Sequence, residues 1–413
     1  MQNDQILPNL FKIEYRKIVS VLYRHFGFDH PEIAEDIASD TFLTAAEMWG
    51  LKGFPDNPVA WLHTVARNKA RDYLRRDTIF TQKISDVLQT NAKDGYEMDI
   101  DLSDKNINDS QLQMLFAICH PTLPAEAQIG LALRILCGFG IDEIADAFLS
   151  NNETINKRLF RAKEKLRREK IKIEFPQQQE IKSRLSNVLK TLYLLFNEGY
   201  YSSSNDVTLR KELCLEAMRL NYLLVENVMF DLPEVNALLS LMCFHTSRYE
   251  ARVDKDGDLV RYDEQDKTLW NDALIKKGKY YLNRSSEGTE IGKYHFEATI
   301  AYWHTVKDDD SEKWENILNL YNRLLVVEYS PMAALNRTYA VSKVKGVAEA
   351  IIEAEKLQLQ GNYLYHVLLG HLYKEVDYTK AITHLETALK KVKTAGQKKQ
   401  IRKELHKCLN HDL

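Results

Sequence analysis

Apolar residues recur at helical spacing along nearly the whole of this sequence, and little interrupts them. In residues 31–49, PEIAEDIASDTFLTAAEMW, the positions Ile33, Ile37, Phe42, Ala45 and Trp49 fall one or two turns apart, which marks a helix with one buried face. Only 16 Gly and 9 Pro occur in 413 residues, which disfavours turn-dense β, collagen-like and low-complexity architectures, so the expected fold class is all-α. Hydrophobic residues at 45% supply substantial cores, and the length suits two or three domains. No apolar run approaches the roughly 20 residues that span a bilayer, and the start of the chain lacks the basic-then-apolar pattern of a signal peptide. The expectation is a soluble, cytoplasmic protein with no membrane partner.

The five cysteines, Cys119, Cys137, Cys214, Cys243 and Cys408, are scattered with no C-x-x-C pair. They read as reduced core thiols, not as a disulfide framework or a metal site. No H-E-x-x-H, G-x-S-x-G or P-loop pattern occurs, so catalytic residues, a metal and cofactors are all expected to be absent. The charge balance is nearly even in both halves: residues 1–179 carry 23 Lys+Arg against 26 Asp+Glu. Any nucleic-acid site must therefore be a local stripe.

Punctuation divides the chain. The stretch Lys52–Pro58, KGFPDNP, reads as a turn, and a second amphipathic helix follows from about Val59 to Arg76. Residues 81–109 hold seven acids and three bases with few apolar repeats, which reads as a flexible acidic linker over 80–109. Helical pattern resumes near Gln111 and stops before Pro176. The expected domains are therefore 1–79, 110–175 and 176–413. Within the last, residues 252–268 read as a polar excursion around an Asp-Gly turn; its DKDGD start lacks the twelfth-position Glu of a calcium loop, where Gln265 stands. Ile317, Ile351 and Leu385 lie 34 residues apart in succession, as do Leu320, Ala354 and Ala388. Gly370, Tyr373, Ala381 and Leu385 fit the small and large positions of a tetratricopeptide-like repeat.

Two stretches carry chemistry. In residues 137–168, Ile141, Ile144, Ala145 and Phe148 make the apolar face of a short helix. Ser150 and Glu153 then form an S-x-x-E cap, and Ile155, Leu159, Ala162 and Leu166 make the buried face of a longer helix. Short helix, tight turn and longer helix suit a helix-turn-helix. Its exposed side holds Asn156, Lys157, Arg158, Arg161 and Lys165, residues able to reach base edges and phosphates of duplex DNA. In residues 59–76, Trp61, Leu62, Val65, Ala66, Tyr73 and Leu74 form the buried stripe, while Arg67, Arg71 and Arg75 make a ridge on the other side, with Arg76 beside it. The ridge suits a nucleic-acid backbone, and Phe54 or Trp61 can stack with an exposed base. The preceding helix is acidic, with Glu35, Asp36 and Asp40 among its charges, and suits a basic protein partner.

These segments resemble an RNA polymerase sigma factor of the extracytoplasmic-function type. AEDIASDTFLTAAEMW (34–49) resembles the helix that grips the polymerase clamp, and PVAWLHTVARNKARDYLRR (58–76) is similar to the region that engages the opened −10 element. IDEIADAFLSNNETINKRLFRAKEKLRR (141–168) is similar to the −35-binding helix-turn-helix. The resemblance implies that Glu35, Asp36 and Asp40 bind core RNA polymerase, that the Arg67–Arg71–Arg75 ridge with Asn68 holds the non-template strand of promoter DNA, and that Asn156, Lys157 and Arg161 read the −35 duplex. Asp40 stands where a Glu is usual, and Asn156-Lys157 replaces the commoner Lys-Ser pair, which bears on sequence preference. ICHPTLPAEAQIGLALR, LYLLFNEGYYSSS and SPMAALNRTYAV resemble the subgroup with a long C-terminal tetratricopeptide-like extension, which implies an intramolecular or protein partner for the repeats. Asn197–Tyr200 with Tyr201 and three serines admits two readings, a helix end capped by Gly199 or a binding element. A stand-alone helix-turn-helix regulator with a sensing repeat domain, and a protein-interaction scaffold, remain the alternative functions.

Overall fold

The computed structural model describes residues 6–88, 100–201, 207–252, 254, 260–392 and 395–409. Among them the regular elements are all helices, nineteen of them α-helices, in agreement with the all-α expectation. The chain forms two compact units, residues 1–195 and 196–413.

The first unit holds α1 (Ile6–Phe26), α2 (Pro31–Lys52), α3 (Pro58–Leu88), α4 (Asp104–Ile118), α5 (Ala125–Leu131), α6 (Ile141–Ala147), α7 (Asn152–Arg168) and most of α8 (Ile181–Tyr200). Helix α1 is the shared wall of this unit, packing against α2, α3 and α4. Its Ile18, Val21, Leu22 and Tyr23 are fully buried. Each aliphatic side chain so buried contributes about 1.5–3 kcal/mol. Where α5 ends, Ala132–Leu136 widen into a π-helical turn, with the Cys137 N–H donating to the Ala132 carbonyl at 3.0 Å. Gly138 follows at φ 75, and a Cβ there would stand 3.0 Å from the Lys12 carbonyl. Only glycine combines that conformation with so close an approach to α1.

Several boundaries differ from those expected. Helix α3 continues to Leu88 and α4 begins at Asp104, so the stretch 80–109 is helical at both ends. Ser103 supplies the cap for α4, accepting from the Asn106 N–H, and Ile100 and Leu102 are buried just before it. The rest of the expected linker, residues 89–99, lies outside the described residues. The first unit also runs past the junction expected at 175. Arg184 Nη2 donates to the Phe116 carbonyl and Thr191 Oγ1 to Gln128 Oε1, each at 2.6 Å, so the start of α8 packs with α4 and α5. The cap of α7 is Asn151, which accepts from the Thr154 N–H at 2.8 Å, in place of Ser150. Tyr73 is 37% exposed and not part of the buried stripe, because Leu62, Ala66 and Ala70 complete that face.

The second unit holds the last turn of α8, then α9 (Val207–Glu226), α10 (Pro233–Ser247), α11 (Tyr249–Arg252), α12 (Asp272–Ser285), α13 (Lys293–Trp303), α14 (Ser311–Val327), α15 (Pro331–Lys345), α16 (Val347–Lys356), α17 (Tyr363–Tyr373), α18 (Tyr378–Lys391) and α19 (Ala395–Leu409). Of the polar excursion, residues 253 and 255–259 lie outside the described residues, and Tyr262–Glu264 and Lys267–Leu269 are single 3-10 turns. The 34-residue series lands on alternate helices: Ile317, Ile351 and Leu385, all buried, sit on α14, α16 and α18. A Cβ on Gly370 would meet Leu385 at 2.8 Å, which shows how closely α17 and α18 approach. Gly199 does not end α8, since the helix continues through Tyr200 and the Tyr201 N–H still donates to the Asn197 carbonyl.

One half-buried carboxylate fastens the C-terminal helix. Glu404 on α19 accepts from Lys374 and from Lys407 at 3.1 Å, with Arg261 Nη1 at 3.5 Å. Burial pushes its carboxyl up, but the lysine hydrogen bonds and the Arg261 charge overcome this and hold it at about 2, against 4.5 ordinarily. A depressed carboxylate stabilises the fold above its unfolded value and loses that contribution as pH falls toward the folded one. Glu404→Gln is therefore expected to cost about 2–3 kcal/mol at pH 7, and the deficit to shrink between pH 5 and pH 3. Urea melts of both proteins across that range check it; a deficit independent of pH would assign the effect to packing.

Candidate nucleic-acid and polymerase interface

The geometry begins on α1. Glu14, nearly fully buried, accepts from Lys17 at 2.8 Å and lies 3.0 Å from His63 Nε2 of α3. Burial raises its carboxyl, but these two partners outweigh that and hold it below the usual range. The contact fixes how α3 lies against α1. Arg67, first of the arginine ridge, is half-buried and donates through Nε to the Ile100 carbonyl at 3.1 Å. It thus ties α3 to the segment that leads into α4. Asn68, Arg71, Arg75 and Arg76 are exposed on the same helix, with Arg75 Nη2 3.3 Å from Asp72. Three of the four ridge and flanking arginines therefore face solvent.

At the start of α3 the turn predicted around Lys52–Pro58 is present, with Gly53 at φ 82. Phe54 and Trp61 both pack on the buried Trp49, with ring centroids at 5.0 and 5.3 Å. Both remain half-buried, so the pair forms an aromatic wall beside the ridge and also closes the α2–α3 core.

Helix α7 buries the apolar face expected of it, while two of the five side chains expected to be exposed, Arg158 and Lys165, are half-buried. Ile155, Leu159, Ala162 and Leu166 are buried. Asn156, Lys157 and Arg161 are exposed, and Lys157 reaches only its neighbour Glu153, at 2.5 Å. Arg158 is half-buried with its guanidinium 5.4 Å from the Phe148 ring, and Lys165 donates to the Thr122 carbonyl. Those two cations brace α7 against its own unit and leave Asn156, Lys157 and Arg161 as the outward set.

The acids of α2 do not behave alike. Asp36 and Asp40 are exposed, with Asp40 3.8 Å from Lys69. Glu35 accepts from Tyr23 Oη at 2.6 Å and forms an ion pair with Lys163 of α7. Tyr23 is correspondingly held in its neutral form, first by burial and then by the Glu35 charge. Lys12 adds a parallel link from α1, lying 4.4 Å from the Phe139 ring and 3.5 Å from Glu143. Lys12, Glu14, Tyr23, His63 and Lys163 were not singled out from the sequence. Charged residues at half-buried helical positions offered the only signal, and their partners lie up to 131 residues away.

Residues 10–78 match the family described as sigma-70 region 2, and residues 184–286 match a family of unknown function, DUF6596. The chain is 32% identical over 383 residues to Uncharacterized protein R00370 of Rhizobium meliloti, an alignment covering 92% of this chain and 90% of that one. This chain belongs to the R00370 family and carries a sigma-70 region 2. It is also 24% identical over 170 residues to the ECF RNA polymerase sigma-E factor of Haemophilus influenzae, covering 40% of this chain and 87% of that one. No solved structure matches the chain. The sigma-70 region 2 occupies α1, α2 and most of α3, the elements that carry the ridge, the aromatic wall and the acidic helix. Together these similarities support a sigma-factor role. No helix among the described residues is long and apolar enough to cross a membrane.

Proposed function

We propose that this member of the R00370 family is a sigma factor of the extracytoplasmic-function type, working in the cytoplasm and regulated by its C-terminal extension. The observation that carries the reading is a pairing within one compact unit. A sigma-70 region 2 lies beside α6, a tight turn and α7, whose outward face is Asn156, Lys157 and Arg161. In this reading α6 and α7 form a helix-turn-helix that enters the major groove of the −35 element. Arg71, Arg75, Arg76 and Asn68 follow the backbone of the opened −10 strand, while Arg67 positions α3 as well as lending charge. Phe54 and Trp61 supply the rings on which an unstacked base can lie, which offsets part of the melting cost. Asp36, Asp40 and, once released from Lys163, Glu35 meet a basic surface of core RNA polymerase. Nucleotidyl transfer belongs to the polymerase, so this chain needs no catalytic group.

Residues 176–413 carry the tetratricopeptide-like repeats and are assigned the regulatory role. A stand-alone helix-turn-helix regulator would leave the sigma-70 region 2 without work. The deciding experiment is promoter-dependent transcription by core polymerase supplied with the full-length chain, run beside Asp36→Arg. Specific initiation is expected with the natural chain. The charge reversal is expected to weaken polymerase binding at least about tenfold while leaving duplex binding unchanged. Specific duplex binding with no initiation would favour the stand-alone regulator, and unchanged polymerase affinity in Asp36→Arg would remove the α2 interface.

A further inference from the structure

Among the described residues of the second unit, two arginines are covered by protein without an ion-pair partner. Arg248, at the end of α10, is only 6% exposed. Its guanidinium lies 5.3 Å from the Tyr262 ring, its Nε has no hydrogen-bond acceptor, and no carboxylate stands within 4.0 Å of it among the described residues. One turn on, half-buried Arg252 is in the same condition. It lies 4.1 Å from the Tyr200 ring and 5.0 Å from that of Tyr201, with Nε unsatisfied and no ion pair among the described residues. Two imidazoles complete the group. His245 packs 4.6 Å from Tyr200 and His304 4.9 Å from Tyr262, and the buried Nδ1 of each lacks a partner among the described residues.

A fold does not ordinarily enclose unpaired guanidinium groups beside unsatisfied imidazole nitrogens, because desolvating a charge without a counter-ion is costly. Stacking on tyrosine covers the face of a guanidinium and leaves its edge donors for a planar oxyanion. Tyr201 keeps 53% of its surface open, yet the protein around it pushes its phenol up to about 12. Burial, then the charges of Arg248 and Arg252, push His245 well below its ordinary value, so the imidazole is neutral and free to donate one hydrogen bond. Lys313 is not part of the open set, since its ammonium already donates to Tyr262 Oη and to two carbonyls. Among the described residues, the charge of Glu297 also acts on Tyr201.

We propose that Arg248 and Arg252, walled by Tyr200, Tyr201 and Tyr262, form a binding site for a small organic anion bearing a carboxylate or phosphate group. The site lies in the segment matched to the family of unknown function, which it would supply with a chemistry. It also gives a role to Tyr200 and Tyr201 at the end of α8, where Gly199 caps nothing. The proposal does not depend on the sigma-factor reading. If both hold, the anion is the signal to which the extension responds.

The test is isothermal titration and thermal denaturation of the full-length chain with inorganic phosphate and, separately, succinate, at fixed ionic strength. Heat of binding and a raised Tm with either anion are expected; phosphate alone responding identifies a phosphate ligand, succinate alone a carboxylate. Arg248→Met should weaken binding at least about tenfold while leaving the unliganded Tm unchanged or higher, because it removes a buried unpaired charge. Arg252→Gln, at a more open position, should weaken binding by a similar factor and guards against a folding defect in the first variant. Three outcomes would overturn the site: no response to either anion at millimolar concentration, unaltered affinity in both variants, or binding only of an acidic peptide.

Discussion

Replacing Lys157 and Arg161 together by alanine is expected to lower the affinity of the holoenzyme for promoter DNA by about 2–4 kcal/mol, roughly a 30- to 1000-fold loss. Both side chains are exposed on α7, one turn apart, and neither is needed for folding. The Lys157–Glu153 pair is a solvent-exposed helix pair whose loss is worth less than about 1 kcal/mol. The thermal stability should therefore stay within a degree or two while binding collapses. Because the residues are neighbours, the double variant need not equal the sum of the singles. Footprinting of holoenzyme on its promoter, beside a melt of the free protein, separates the two effects. Protection of the −35 region by the double variant at natural concentration would remove α7 from the DNA interface. Arg67→Ala should behave differently, losing stability with binding, since it also surrenders the bond to the Ile100 carbonyl.

The second large effect is on folding. Lys313 on α14 is fully buried and donates to Tyr262 Oη and the Val306 carbonyl at 2.9 Å and to the Asp308 carbonyl at 3.3 Å, with Asp309 at 3.5 Å. Lys313→Ala removes the cation, strands two carbonyls and opens a cavity beside Trp314. The expected cost is about 3–5 kcal/mol. Lys313→Met fills the volume and should recover part of it, isolating the contribution of the hydrogen bonds. Urea denaturation followed by tryptophan fluorescence measures both; a loss below about 1 kcal/mol in Lys313→Ala would mean that water replaces the ammonium.

Lys313 also shows what helical periodicity conceals. It lies four residues before Ile317, on the buried stripe that continues through Tyr321 and Leu324. The spacing was readable, but a lysine at such a position counts as surface by residue type until its partners are seen. The buried faces of α2 and α7 were legible because apolar identity and spacing agreed there. The ridge of α3 was legible as a row, though the tie from Arg67 to Ile100 was not, because the partner is a backbone carbonyl beyond a change in composition. The acidic stretch 80–109 read as a tether because net charge dominated, while the anchors Ile100 and Leu102 were too few to show a period. In the second unit the 34-residue spacing of Ile317, Ile351 and Leu385 was legible, and all three are buried on alternate helices. Its cluster of arginines and histidines was not, since the Arg248–Arg252 pair, Tyr200 and His304 come from segments separated in sequence.

The bond between Glu35 and Lys163 has a thermodynamic consequence. If polymerase takes the acids of α2, it competes with a cation of the same chain. Its apparent affinity is then the intrinsic affinity multiplied by the fraction of molecules in which Glu35 is already released. Such a factor changes no contact with polymerase, yet it sets the concentration at which holoenzyme forms. Anything that shifts that fraction, whether substitution, ligand or salt, moves the assembly threshold by the same ratio. Competition among sigma factors for a limited pool of core enzyme would then be tuned from within this chain, by one ion pair between α2 and α7.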